Sequence, residues 1–458
     1  TCHTFWVSLT LSFSIRTTHR YIASLRHHRD TEASSPSMRP HTFAVLDCPP
    51  DCFMPKTSVS SLLTWLDQSP TPFHVVQTAA TSLDSAGFTH VTELGNELPN
   101  LGYLAHDGCI IAWRLGSAKG SLRIIGAHTD SPNLRVLPQP DIHQLGWSQL
   151  AIEIYGGVLL NSWLDRDLGI AGRVVDSSGV SHLYSAPQAL ARVPQLAIHL
   201  DREIGDKGLH LDRHQHMTPV WGSTKQSFSQ WIRTVTEVAD VAAFDAHLFD
   251  ITPASLLGVD NSLLASGRLD NQASCWSAIE ALRNASDSDH TAILVLNDHE
   301  EVGSNSATGA AGPMLSSVVS RVSVQHGLRE GQQFDRLATS WCLSADNAHA
   351  IHPNYPERHE PRHAPLINHG PAVKVNGNQR YATSARGLAH IRSVAESNHI
   401  PLQTFASRNN VPCGSTIGPI TATQLGIEAI DIGIPQLSMH SAREMCGAND
   451  PLHMVSLM

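Results

Sequence analysis

The chain has 458 residues, 41% hydrophobic and 16% charged, with a formal net charge of -10. That length allows two or three domains with a sizeable core. The negative balance and the lack of a basic stripe with interleaved aromatics argue against nucleic acid as a partner, and no apolar run reaches the ~20 residues of a membrane span.

The eight cysteines are scattered without a CxxC pair. They indicate neither a zinc ribbon nor a disulfide framework, and a reducing, cytoplasmic setting is expected.

Residues 1–54 carry Arg16, Arg20, Arg26, Arg29 and Arg39 with few acids and no clean periodicity. They read as a transit-like leader or, preferably, as a disordered extension, with Met38 or Met54 as the true start. From Thr57 the pattern becomes globular. Val59 to Leu66 predicts an amphipathic helix stopped by Ser69-Pro70-Thr71-Pro72, and Phe73 to Ala86 a second helix closed by Gly87. Short apolar strands are expected at 109–113 and 122–127. From 139 to 262 alternating runs such as Leu150 to Tyr155, and a hairpin turn at Asp176-Ser177-Ser178-Gly179, predict an inserted β-rich domain. Helices are then expected at 271–284, 312–325 and 383–397, alternating with strands at 292–296, 340–345 and 402–406. This alternation predicts a mixed-sheet α/β/α domain, discontinuous over 55–138 and 263–458.

Chemistry concentrates where apolar runs end. Asp298-His299-Glu300-Glu301 follows the run Ala292 to Leu296. Adjacent carboxylates at a buried strand end are costly unless paired or bound to a cation. His128 and Asp130 follow the strand ending at Ile125; Asp130 is placed to brace a metal-bound His128. Asp270 opens the helix 271–284, where an N-cap role competes with a ligand role. Asp346 follows the strand 340–345, and His440 follows the run Ile430 to Pro435. Each residue alone has an ordinary structural explanation. Together, two histidines, two aspartates and the Glu300-Glu301 pair are what two zinc ions need, with one carboxylate left free as a general base.

These residues resemble the aspartyl aminopeptidase family of metallopeptidases. The matching stretches are GAHTDSP at 126–132, YGGVLLNSWLDRDLGIAGRV at 155–174, GRLDN at 267–271, HEEVGS at 299–304, SADNAHAIHPNY at 344–355, GPAVKVNGNQRYAT at 370–383, CGSTIGPI at 413–420 and GIPQLSMHSAREMCG at 433–447. The resemblance implies a dizinc aminopeptidase acting on peptides, in which His128 and His440 bind one zinc each. Asp270 bridges the ions, Glu301 and Asp346 complete the ligands, and Glu300 is the general base. It further implies that the β-rich domain makes subunit contacts in a dodecamer built from dimers, with His199 reaching a neighbour's active site. The family favours N-terminal Asp or Glu, for which Lys374 and Tyr381 are the candidate pocket residues. Co2+ or Mn2+ suits the same ligands. The alternatives are a preference for neutral residues, a dizinc carboxypeptidase or deacylase with a cationic clamp, and a non-catalytic scaffold, which is disfavoured because no ligand is lost. The chain departs from the family at His299, where another residue is usual, in residues 1–54, and at Met458, where relatives continue a terminal helix.

Overall fold

The computed structural model describes residues 57–223 and 225–458. The segment read as a leader or extension, with Met38 and Met54, lies outside the described residues.

A nine-stranded mixed sheet forms the centre, in the order Thr89–His90, Leu101–His106, Cys109–Arg114, Thr291–Asn297, Leu122–His128, Trp341–Ala345, Glu428–Gly433, Ala372–Lys374, Gln403–Phe405. Its pattern explains the apolar runs. In Thr291–Asn297, Leu294 and Leu296 face one layer while Ile293 and Val295 face the other. A strand covered on both faces needs continuous apolar sequence rather than alternation. One covering layer contains the helices Val59–Gln68, Pro72–Ser85, Leu269–Asn284, Ala385–Ser397 and Asp450–Leu457. The other contains Met314–Gln325, Glu330–Ala338 and Ile417–Leu425. The mixed-sheet α/β/α architecture expected above is therefore the one observed.

Local chemistry sets the element ends. Pro72 opens its helix, where the missing N–H costs nothing. Gly87 supplies the left-handed turn after it, at φ +83°. Among the described residues five helices had no clear signal: Ile204–Lys207, Phe228–Thr236, Glu330–Ala338, Ile417–Leu425 and Asp450–Leu457. Each has nine residues or fewer, too short to show a full apolar period, and depends on packing rather than propensity.

A second, antiparallel sheet of six strands takes residues between Asn133 and Asp250. Its strands Leu168–Asp176 and Ser181–Ala191 are joined by a tight turn. There Asp176 Oδ1 accepts from the Ser178 and Val180 amides at 2.9 and 3.0 Å, and Gly179 takes φ +88°. Leu134, Leu150, Ile170, Phe228 and Leu248 are buried in its own core. A small five-stranded sheet runs in the order Ser255–Leu257, Leu263–Ser266, Glu444–Gly447, Pro435–Leu437, Ala348–His349.

Four neighbouring strands of the central sheet, Thr291–Asn297, Leu122–His128, Trp341–Ala345 and Glu428–Gly433, are mutually parallel. Their carboxyl ends lie on one edge, where parallel sheets place ligand sites. Among the described residues no helix is long and apolar enough to cross a membrane.

The core is tightly committed at the middle of the sheet. Leu294→Ala is expected to cost about 2–5 kcal/mol. A guanidinium midpoint shifted down with an unchanged m-value is the measurement that checks it.

Candidate metal centre

The edge of parallel strands brings together the residues picked out at strand ends. His128 closes the strand Leu122–His128, Glu300 and Glu301 open a short 3-10 turn after Thr291–Asn297, and Asp346 follows Trp341–Ala345. Asp270 and His440 arrive beside the small sheet, after Leu263–Ser266 and Pro435–Leu437. Left-handed backbone recurs here at Arg268, His299 and His440 (φ +62°, +62° and +67°). Such strain at non-glycine residues is retained where surrounding structure enforces it.

Asp270 occupies the middle. Its Oδ1 lies 3.7 Å from His128 Nε2 and its Oδ2 lies 3.4 Å from His440 Nε2. Asp346 Oδ1 stands 3.9 Å from His128 Nε2, and Glu301 Oε1 stands 3.3 Å from His440 Nε2. Ligand atoms from His128, Asp270 and Asp346 lie within 4.8 Å of one another, as do those from Asp270, Glu301 and His440 and those from His128, Glu300 and Glu301. Two ligand atoms each about 2.1 Å from a tetrahedral zinc stand roughly 3.4 Å apart, so the spacings suit an ion better than direct hydrogen bonds. Asp270 Oδ1 and Glu301 Oε1 are buried without a hydrogen-bond partner, the state expected of atoms that face a cation. The donor set fits zinc.

The histidines are oriented for this. His128 Nδ1 donates to the Asp130 carbonyl at 3.0 Å, and His440 Nδ1 to the Gly157 carbonyl at 3.1 Å. Each Nε2 is thereby turned toward the carboxylates. Burial opposes protonation of both rings. For His128, the hydrogen bonds to Asp130 and Asp346 outweigh it and hold the ring well above the ordinary imidazole value. For His440, Asp270 and Glu301 push it up to about 12. Burial, and then the neighbouring carboxylates Asp346 and Glu301, lift Glu300 to about 8. Burial likewise lifts Glu301 to about 7. Asp346 moves the other way: the Lys374 ammonium at 3.5 Å and His128 overcome burial and hold it below the ordinary carboxylate range. A cluster that clings to protons in this way has more negative charge than its neighbours neutralise.

Asp130 braces the site through its backbone and side chain. Oδ1 accepts from the Glu300 amide and Oδ2 from the Glu301 amide, both at 3.1 Å. Asp270 does not serve as an N-cap. Its Oδ1 accepts no backbone amide, and its carboxylate faces the histidines instead.

Three other sequence candidates divide. Lys374 and Tyr381 are buried and line a cleft of about 410 Å3 with Asp270, Glu300, Glu301, Asp346 and His440; the ammonium sits 5.1 Å from the Tyr381 ring centre. His199 stands on an exposed turn and does not line that cleft. The unusual His299 points its Nδ1 at Ser306 Oγ, 3.0 Å away, and is not among the cleft residues.

Sequence reasoning missed the supports. Tyr155, from the six-stranded sheet, donates to Asp130 Oδ2 at 2.7 Å while the Arg135 guanidinium stacks on its ring. Glu444 accepts from the amides of Asp270 and His440. The only signal was their place inside motifs, in YGG at 155–157 and in HSARE at 440–444.

A model of the aminopeptidase I zinc metalloprotease (M18) family matches residues 65–458. The sequence is 46% identical over 405 residues to a probable M18 family aminopeptidase 2 of Streptomyces coelicolor, covering 85% of this chain and 94% of that relative. Among solved structures, a chain of the Ape4–Nbr1 complex matches with a TM-score of 0.82 and 32% identity, over 87% of this chain and 84% of that one. The mApe1 dodecamer of S. cerevisiae matches with a TM-score of 0.76 and 28% identity, over 87% and 94%.

Removing the Tyr155 hydroxyl unties Asp130 without touching any candidate ligand. Tyr155→Phe is expected to weaken zinc retention about 10-fold or more. Competition with a calibrated chelator checks this.

Proposed function

This chain belongs to the aminopeptidase I zinc metalloprotease (M18) family and is a zinc aminopeptidase, and we propose that it removes single residues from peptide N-termini at a two-zinc centre, with preference for Asp or Glu. The observation that carries this reading is Asp270, which turns one oxygen toward His128 and the other toward His440. On this reading His128, Asp270 and Asp346 hold one ion, and Asp270, Glu301 and His440 hold the other. The bound ions supply positive charge for the scissile carbonyl and lower the pKa of water at the site. Co2+ or Mn2+ would serve the same donors.

Glu300 is the proposed general base. It borders the cleft and lies beside His128 and Glu301. Its carboxylate takes a proton from the attacking water and returns one to the departing amine. The acidic groups facing the cleft also favour a substrate whose terminal amine is free and cationic, so N-acylated peptides should not be cleaved.

Lys374 supports the acidic preference. It is a buried ammonium lining the cleft beside Tyr381, and a buried cation is a natural partner for a substrate carboxylate. A preference for neutral residues is the competing outcome, because Asp346 already neutralises part of that charge.

We also propose a homo-oligomer, a dodecamer built from dimers. The similar mApe1 structure is a dodecamer, and Leu196, Ile198 and Leu200 around His199 are exposed. An exposed apolar segment beside a histidine suits contact with a second copy. On this reading residues 139–262 form the contact domain and 55–138 with 263–458 the catalytic one. The described cysteines are free, which supports a reducing, cytoplasmic setting.

Glu300→Gln is expected to lower kcat about 10^2–10^4-fold while zinc content stays at two ions per chain. Elemental analysis beside a kinetic assay tests both halves; substantial turnover in the variant sinks the assignment. Lys374→Met is expected to lower the ratio of kcat/KM for Asp- over Leu-substrates by about 10-fold, the worth of one charge-assisted hydrogen bond. An unchanged ratio across an Asp, Glu, Leu and Lys panel transfers the preference to other residues.

A further inference from the structure

Beneath the metal centre lies a buried set of polar side chains that touches none of the reacting groups. Glu444 sits on the strand Glu444–Gly447 and is almost wholly buried. Its Oε2 accepts from the Asp270 amide at 2.9 Å and its Oε1 from the His440 amide at 2.7 Å. One carboxylate thus fixes the backbone of two candidate ligands from different segments. The set continues outward. Gln436 Nε2 donates to Glu444 Oε1 at 3.4 Å, and Gln436 Oε1 accepts from Asn347 Nδ2 at 2.8 Å. Asn347 Nδ2 also donates to the Leu269 carbonyl, and Asn271 Nδ2 to the Ala345 carbonyl, both at 2.7 Å. The residues on either side of Asp270 are therefore tied to the residues on either side of Asp346. Asn271, Asn347 and Gln436 are buried as completely as Glu444.

From this geometry we propose that Glu444 is a positioning residue for the aminopeptidase reaction. It sets the spacing of Asp270 and His440 and, through Gln436 and Asn347, that of Asp346. The proposal rests on the two-zinc reading for its consequence, but the brace is made of the chain's own groups. A carboxylate is the side chain that suits the task. It presents two acceptor oxygens without a donor, so both amides can be satisfied at once. A Gln in its place turns an NH2 group toward one of them. Satisfied buried networks hold one arrangement, and breaking one member leaves a buried donor unpaired. Supports of this kind are worth about 10–100-fold in metal affinity.

Asp450 provides an internal control. It too is a fully buried carboxylate that accepts two backbone amides, from Asn368 and Gly370 at 2.7 and 2.9 Å. It holds no candidate ligand. General loss of stability should follow from either substitution, whereas loss of metal geometry should follow only from Glu444.

The test uses the full-length, zinc-loaded enzyme. Glu444→Gln is expected to lose zinc to a chelator at a concentration about 10-fold or more below that needed for wild type. It is also expected to show faster hydrogen exchange at the Asp270 and His440 amides and a lower kcat at saturating zinc with KM within about 2-fold. Asp450→Asn is expected to lower the melting temperature yet keep wild-type zinc retention. Wild-type retention and exchange in Glu444→Gln overturn the proposal, and so does equal zinc loss in Asp450→Asn. If Glu444→Gln does not fold, Glu444→Asp, one methylene too short to span both amides, must show the zinc defect; failure of both to fold assigns Glu444 to general stability and overturns the proposal. A wild-type protein that binds no zinc sinks the two-zinc reading instead, while the exchange comparison still decides the role of Glu444.

Discussion

The structure depends on keeping buried carboxylates together at one edge of a parallel sheet. Asp130, Asp270, Glu300, Glu301, Asp346 and Glu444 converge there, and their direct ion-pair partners are His128, His440 and Lys374. Placing a charge in the interior costs several kcal/mol unless partners compensate. The fold meets that cost in two ways. Asp130 and Glu444 are satisfied by backbone amides from the very segments that carry the site. Asp270 and Glu301 keep one oxygen each without a hydrogen bond, directed at the histidines. The first pair builds the frame; the second pair is what a divalent cation would neutralise.

The same constraint draws the six-stranded sheet into the site. Tyr155 ends one of its strands and holds Asp130 by its hydroxyl. The next two residues are glycines, for different reasons. Gly156 takes φ +73°, and a Cβ there would lie 3.1 Å from Glu301 Cβ. A Cβ at Gly157 would lie 3.0 Å from His440 Nδ1, whose proton the Gly157 carbonyl accepts. This turn therefore needs close backbone approach to two candidate ligands. The six-stranded sheet is part of the site, because its turn orients one imidazole and braces the loop beside the other.

Legibility followed chemistry that shows in short windows. An apolar run that stops at an acid announces a strand end with something to hold, so His128, Glu300, Glu301 and Asp346 stood out, and the central sheet with them. Asp270 was ambiguous because a helix start explains an aspartate equally well; only the direction of its carboxylate, toward the two histidines and away from the helix amides, separates the roles. Glu444 was invisible for a different reason. It lies 174 residues from Asp270 in sequence, on a strand of four residues too short for periodicity. Gln436 and Asn347 share that difficulty. Long-range polar braces have no local pattern, since their partners are set by strand order in a sheet assembled from distant pieces.

One turn sends the neighbouring Glu300 and Glu301 into different surroundings. His299 adopts a left-handed conformation and starts a 3-10 turn, and Asp130 grips the two following amides with separate oxygens. Held in this way, the backbone sends the side chains to different neighbours. Glu301 Oε1 comes within 3.3 Å of His440 Nε2 and buries itself there without another partner, as a ligand would. Among the described residues no imidazole nitrogen lies within 4.0 Å of the Glu300 carboxylate, which stays at the cleft wall. Burial, with the carboxylates of Asp346 and Glu301 beside it, raises its proton affinity above that of an ordinary glutamate. A carboxylate whose affinity for a proton approaches neutrality exchanges that proton most readily with water and amine. On the proposed reading Glu301 binds metal and Glu300 moves the proton, a division that two adjacent identical residues would owe to the turn that separates their surroundings.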